Sequence, residues 1–347
     1  MRLFDQEDNY FGIDLGSTSI KLAQVRELHG SPSLITYGDI ETPANMLSSD
    51  SEIDQNRIAD LIKQLADDAR VTSKNVVAGL PASATYTSVI KVPKLKDAEL
   101  AQSIRFQADK YIPMAIDQVK LDWLVVGEDE ENDEQEVLLV AAPISTATKY
   151  LNILQKAGFE LLALEINPLA QARSLISQKD PDHCVVILDM GVNNTDLSVI
   201  DKGVPRLVRS ISVGARTFRR MISQNLGVDD TQADQFMKKF GMMEGKLDNQ
   251  VVRSMKPLVD NLIEETKKSV SFYQEKSNDR KVERVIITGG TTALPELPMY
   301  LANNIGLTVE IGNPWQNVSY PSEIQQQLAG LALNYATALG LALRNFV

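Results

Sequence analysis

Two short stretches of the chain are near copies of one another. The first reads Gly12-Ile13-Asp14-Leu15-Gly16-Ser17-Thr18, and the second Ile187-Leu188-Asp189-Met190-Gly191-Val192-Asn193-Asn194-Thr195. Their aspartates lie 175 residues apart in a chain of 347, so two halves of the sequence follow one plan. In each copy an apolar run meets a tight Asp-x-Gly turn and then a second short run, Ile20 to Val25 or Asp196 to Ile200. That pattern predicts a β-hairpin with a polar, glycine-containing tip. Length agrees, because one hydrophobic core rarely grows beyond about 250 to 300 residues.

Between and after the hairpins, strands alternate with helices, which predicts an α/β class. Pro32 to Ile40 reads as a strand, and Asn56 to Ala69 as a helix with Ile58, Leu61, Ile62 and Leu65 on one face. The pattern then changes. Two β-like runs surround Pro81, a helix spans Asp97 to Tyr111 with Asp97 as its N-cap, and runs at Lys120 to Val126 and Glu136 to Ala142 flank an acidic tip at 128–136. A helix from Ser145 to Ala157 stops at Gly158. These features place an inserted subdomain at 74–160. The first half is then 1–73 plus 161–180, and the second is 181–347 with a helical part near 215–280. In the second half helices are predicted near Gly214, at Asp229 to Lys239 and at Asn249 to Glu275, where Pro257 is expected to kink or split the last. A strand from Val282 to Thr288 ends in Gly289-Gly290, a helix starts near Leu294, and Leu328 to Leu343 reads as a buried helix too short to span a bilayer.

Composition narrows the function. With 35 Lys+Arg against 46 Asp+Glu, the net charge of −11 and the absence of a basic run argue against nucleic acid as a partner. The single cysteine, Cys184, excludes an internal disulfide or a multi-cysteine metal site and fits a reducing cytoplasm. Met1 to Asn9 is polar and acidic where a signal peptide would be basic and then apolar. Membrane contact is therefore expected only through a partner or a surface helix. His29 and His183 are the only histidines, and neither sits in a nucleophile-elbow context.

Three glycine turns, each at a strand end, carry the chemistry. The first, Asp14 to Lys21, offers backbone N–H groups, the hydroxyls of Ser17, Thr18 and Ser19, and the Lys21 ammonium. Such a turn holds phosphate oxygens. A carboxylate in an anion site makes sense only with a cation between, and Mg2+ suits one or two carboxylates plus phosphate oxygens. Asp189 with Gly191, Asn193, Asn194 and Thr195 repeats the arrangement. Facing each other across a cleft, the two turns would hold one Mg2+ and a triphosphate. The third turn, Thr288-Gly289-Gly290-Thr291, lacks a carboxylate and suits a flat nucleobase.

With these motifs the chain resembles the actin-like ATPase superfamily from Phe11 to about Leu343. That resemblance implies two ribonuclease-H-like halves, with ATP and Mg2+ as cofactors. The insert, in β-α-β-β-α order, resembles that of FtsA-type proteins. The wording Asp-Leu-Gly-Ser-x-Ser-Ile-Lys and the Glu-x-x-Lys-Ser-x-x-x-Tyr stretch from Glu265 to Tyr273 resemble most the PilM family of type IV pilus assembly. By motif, Asp14 and Asp189 would organise Mg2+ and the attacking water, Gly214 would add a phosphate or ribose contact, and Glu264, Lys267 and Lys268 would meet ribose and base. Asn167 stands where relatives place a catalytic Glu or Gln, and its amide cannot take a proton, so slow hydrolysis is implied. The family further implies a cytoplasmic scaffold at the inner membrane. Its partners would be the N-terminal cytoplasmic peptide of PilN, held between insert and first half, other pilus assembly components, and further copies of itself. An FtsA-like division protein and a sugar or acetate kinase are the alternatives.

Overall fold

The computed structural model describes residues 9–43, 45–129, 132–177, 182–277 and 280–346. The polar start at 1–8 and the acids at 130–131 of the predicted tip lie outside them. The first hairpin is β1 (Tyr10–Leu15) and β2 (Ser19–Leu28), followed by β3 (Ser31–Glu41), α1 (Glu52–Asp68) and β4 (Asn75–Leu80). A small unit of β5 (Tyr86–Pro93), α2 (Asp97–Gln107), β6 (Val119–Asp129) and β7 (Glu134–Pro143) comes next. The chain returns through α3 (Ile144–Lys156), β8 (Glu160–Ile166) and α4 (Asn167–Leu175). The second half runs through β9 (Cys184–Met190), β10 (Thr195–Asp201), β11 (Val204–Ile211), α5 (Ala215–Leu226), α6 (Asp230–Phe240), α7 (Gln250–Lys276), β12 (Arg284–Thr288), α8 (Leu297–Ile305) and β13 (Thr308–Ile311). Two short helices, α9 (Gln325–Leu331) and α10 (Ala336–Ala342), finish the chain.

The repeat in the sequence is a repeat in space. One sheet has the order β3-β2-β1-β4-β8 and the other β11-β10-β9-β12-β13, so strand for strand they match. In each, the hairpin strands pair antiparallel and the later strands join in parallel. Parallel strands in the middle of a sheet are covered on both faces and therefore read as unbroken apolar runs. Cys184-Val185-Val186-Ile187-Leu188 is such a run, fully buried.

Side chains alternate across each sheet, and the two faces meet different helices. Phe11, Ile13, Val76 and Ala78 pack on α1 and α3 through Ile58, Ile62, Ile153 and Leu154. Tyr10 and Val77 face the other way, with Ala170 of α4 and Leu341 of α10. The second sheet likewise turns Val186, Leu188 and Val199 to the α5–α8 layer, and Val185, Ile187 and Ile286 to Ala172 and Leu175 of α4. Thus α4 and α10 form a middle layer shared by both halves.

That position explains the sequence of α10. Every residue of Ala-Thr-Ala-Leu-Gly-Leu-Ala is buried, and a helix with no solvent face is apolar all round. A Cβ on Gly340 would collide with the backbone carbonyl of Ala170, and one on Gly12 with the Ala338 carbonyl, so both glycines are there to let helix meet helix and helix meet strand.

Several expectations are corrected. The insert narrows to 86–143, because β4 is a central strand of the first sheet and Tyr150, Ile153 and Leu154 of α3 join the first-half core. The second half ends near Ile311, since Trp315, Val318, Tyr335 and Leu339 pack with Ala23, Val25 and Leu34 of the first. Leu328 to Leu343 is broken, as Leu333 turns its carbonyl out to accept the Gly289 N–H at 2.8 Å and the Thr288 hydroxyl at 3.2 Å. Asp97 is the first residue of α2, with Lys96 at the cap. Helix α7 runs unsplit past Pro257, and α8 begins at Leu297. Strands β11 and β13 were not foreseen. Gly340→Ala is expected to cost about 2 to 3 kcal/mol, read as a lower urea midpoint, while Gly330→Ala on α9, where an added Cβ meets nothing within 4 Å, costs much less.

Candidate functional site

The two hairpin tips face each other across a cleft of about 790 Å3. That volume falls in the usual range for a small-molecule site. Its lining contains Asp14, Gly16, Ser17, Thr18, Ser19 and Lys21 from the first hairpin, and Asp189, Gly191, Asn193 and Asn194 from the second. Gly289 and Gly290 of the third turn also line it, with Asn167 at the start of α4.

Register gives the two hairpins different electrostatics. Asp14 pairs across its hairpin with Lys21, seven residues on. At the equivalent place in the second hairpin, Asp189 pairs with Asp196. Burial, the Asp196 charge and the Asp14 charge, in that order, raise Asp189 to about 7, against smaller opposing effects of Gln171 and Lys21. Burial raises Asp14 too, opposed by Lys21. Asp196 is likewise raised by burial, opposed by the Ser210 hydroxyl at 2.6 Å and the Ala82 N–H at 3.3 Å.

This is the signature of a site short of positive charge. Asp14 and Asp189 share Lys21 as their cation, and its Nζ also donates to Ser19 Oγ at 2.6 Å. The side-chain oxygen of Asn167 is buried with no hydrogen-bond partner. An all-oxygen donor set of this kind fits a hard divalent cation. Among the described residues no cluster of three His, Cys, Asp or Glu forms a complete cage, and Mg2+ needs none because it keeps several waters.

Other predicted residues are placed differently. Thr195 is buried and donates to the Val213 carbonyl at 2.8 Å, and Thr291 donates to the Gly191 carbonyl at 2.8 Å. Both hold the second tip in shape and stay off the cleft wall. Gly214 also stands behind the wall: a Cβ there would lie 2.6 Å from the carbonyl oxygens of Gly191 and Val192. Those carbonyls accept the N–H groups of Ala215 at 3.3 Å and Arg216 at 2.9 Å, so the first amides of α5 are already used and do not face a ligand. Gly289, at φ 88°, is glycine because a Cβ would sit 2.5 Å from the Met190 carbonyl oxygen; it fits the third turn against the second hairpin. Glu264, Lys267 and Lys268 lie off this cleft on α7, where Lys267 pairs with Glu264 at 3.7 Å and Lys268 with Glu265 at 3.0 Å. Neither histidine lines the cleft.

Sequence reasoning missed Gln171, whose Nε2 donates to Asp189 Oδ2 at 2.7 Å and to Thr337 Oγ1 at 3.1 Å. It missed Asp196, although its seven-residue offset from Asp189 repeats that of Lys21 from Asp14. Lys149, Tyr150 and Arg216, also in the lining, come from distant elements and carry no local signal.

Two matching sheets closed across a cleft between Asp-bearing hairpins define the actin-like fold. The chain belongs to the family described as type IV pilus assembly protein PilM, whose model matches residues 12–346. Among solved structures it is similar to a PilM-PilN type IV pilus biogenesis complex, at 26% identity and a TM-score of 0.85 over 97% of this chain and 98% of that one. It is also similar to MreB 5 of Spiroplasma citri bound to AMPPNP, at 13% identity and a TM-score of 0.51 over 97% and 96% of the two chains. Cell division protein FtsA of Bacillus subtilis is 22% identical over 67% of this chain and 58% of its own length. The chain thus spans about half the length of the curated relatives it matches. No helix among the described residues is long and apolar enough to cross a membrane.

The raised Asp189 gives a pH signature. Its folded pKa lies above the unfolded value of 3.8, so the ligand-free protein holds a proton that the unfolded chain releases, and stability falls as pH rises from about 4 to about 7. A loss on the order of 2 to 3 kcal/mol is expected between pH 5 and 7.5, with Asp189→Asn flattening the profile in urea titrations at each pH.

Proposed function

We propose that the protein is a nucleotide-dependent scaffold of type IV pilus assembly, taking Mg·ATP in the cleft and an extended PilN-type peptide in a separate groove. The groove carries this reading. It is a cavity of about 880 Å3 on the far side of α3 from the cleft, between the inserted sheet and the first half. Each of its walls ends in an edge strand, β6 in the order β5-β7-β6 and β8 in the first sheet. Five consecutive residues of β6, Lys120 to Leu124, line it. Successive side chains of a strand point to opposite faces, so such a run means that the cavity meets the strand along its unpaired edge. Leu138, Val140, Leu151, Leu161, Leu164 and Leu169 supply the apolar floor.

Unpaired backbone beside apolar side chains fits an extended peptide added as a further strand. The similar solved structure is a complex of PilM with PilN, which supports a PilN segment as the occupant. Helix α2 has no part in it: Leu100 and Ile104 lie in the core of the insert, and Phe106 points to solvent.

In the cleft, the amides of the first tip and Lys21 would bind the phosphates, while Asp14 and Asp189 would hold the metal through water. Mg2+ bound there would neutralise phosphate charge and orient the oxygens. Gln171 fixes the Asp189 carboxylate, and Asn167 reaches the cleft with an amide that accepts no proton. Hydrolysis on the order of 10⁻³ per second, as in an unassisted nucleotide switch, is the expected rate.

Two measurements test the pair of sites. Asp14→Ala and Asp189→Ala each weaken Mg·ATP binding at least about tenfold in calorimetry, and unchanged affinity in both removes the cleft from the reading. Leu124→Asp and Leu151→Asp, at partly exposed positions, lower affinity for a synthetic PilN N-terminal peptide by about tenfold or more without changing the melting temperature; full affinity in both places the peptide elsewhere.

A further inference from the structure

Among the described residues, three cations line the cleft, Lys21, Lys149 and Arg216, against four carboxylates, Asp14, Asp50, Asp189 and Asp196. Lys21, which meets the phosphates from the first tip, is already shared with Asp14 opposite it and with Ser19. A polyphosphate entering here would bring further negative charge into a lining that already carries an excess of it. The other two cations are therefore its remaining counter-charges.

They stand on different bodies. Lys149 is on α3, with its side chain 14% exposed, and Arg216 is in the first turn of α5 in the second half. Both reach the same segment of the first half, residues 45–50. Lys149 Nζ donates to Asp50 Oδ1 at 3.0 Å, and Arg216 Nη2 to Asn45 Oδ1 at 3.3 Å. These are weak partners. The Asp50 side chain is 93% exposed, where an ion pair gains little over water, and the Asn45 amide is neutral. A phosphate group carries more charge and more acceptor oxygens, and it suits a guanidinium in two-pronged contact.

We propose that Lys149 and Arg216 are the terminal-phosphate contacts of the nucleotide site, released from Asp50 and Asn45 when a nucleoside triphosphate binds. This rests on the nucleotide reading of the cleft and adds the residues that tell triphosphate from diphosphate. A diphosphate leaves both cations on the 45–50 segment. A triphosphate is gripped from α3 and from the second half at once. Two residues beyond Lys149, Leu151 lines the peptide groove, so the phosphate and the peptide touch one helix.

The test is calorimetric titration of the full chain with Mg·ADP and Mg·AMPPNP. Lys149→Gln and Arg216→Gln should each weaken AMPPNP at least about tenfold and ADP less than about threefold. Asp50→Ala should tighten AMPPNP about two- to fivefold, because it removes the competitor for Lys149. Equal losses for both nucleotides, no loss in either Gln variant, or unchanged AMPPNP affinity in Asp50→Ala overturns the inference while leaving nucleotide binding intact. If the unaltered protein binds neither nucleotide, the reading of the cleft falls with it.

Discussion

One side-chain amide holds the molecule's three parts in register. Gln171 Nε2 belongs to α4, beneath the first sheet, and donates to Asp189 on the central strand of the second sheet and to Thr337 on α10. Gln171 is buried, so its donor has no water to turn to, and a buried donor left unpaired costs more than the bond itself is worth. The middle layer, the position of the second hairpin and the floor of the cleft therefore stand or fall together. Ser174, one turn on, donates to the Ala336 carbonyl at 2.7 Å and closes the same seam.

The internal repeat is a repeat of backbone with its electrostatics divided. Strand order and hairpin register coincide, yet Lys21 in one copy answers to Asp196 in the other. The first hairpin sets a cation opposite its aspartate, and the second a further carboxylate. Putting the two face to face sets one lysine among three aspartates across a single cleft, which neither copy could form alone. The insert adds what the repeat lacks, a small sheet whose edge stands apart from β8 and leaves a groove between. Helix α3 separates that groove from the cleft, and Lys149 and Tyr150 look one way while Ala147, Thr148 and Leu151 look the other.

Much of this was readable in the sequence wherever the signal was local. The hairpins, the third turn and most helices followed from periodicity and from glycine placement. What failed did so for tertiary reasons. The apolar stretch from Leu328 to Leu343 looked like one helix, because nothing local shows that Leu333 must give its carbonyl to Gly289. Gly214 looked like a phosphate contact because it precedes a helix, but the hairpin tip lies against that helix end and takes its amides. Thr195 and Thr291 carry hydroxyls suited to a ligand and spend them on neighbouring carbonyls. Domain limits failed most clearly at the C-terminal end, where chain order suggested the second half and packing assigns the first. Gln171, Lys149 and Arg216 come to line one cleft only through the fold, so no spacing announced them.

The shared middle layer also bears on how the chain is made. Helix α10 packs against β1 and β2, which leave the ribosome about three hundred residues ahead of it. Until residues 312–343 emerge, the part of the first sheet that carries Ala23, Val25 and Leu34 lacks its cover. The second half is different, since its sheet and the α5–α8 layer over one face are complete by Ile311. Order of synthesis and order of folding therefore run opposite ways, with the half made first becoming whole last. A nascent chain of this design carries an apolar patch on its first sheet open while the whole second half is being made, an exposure that the finished fold no longer shows.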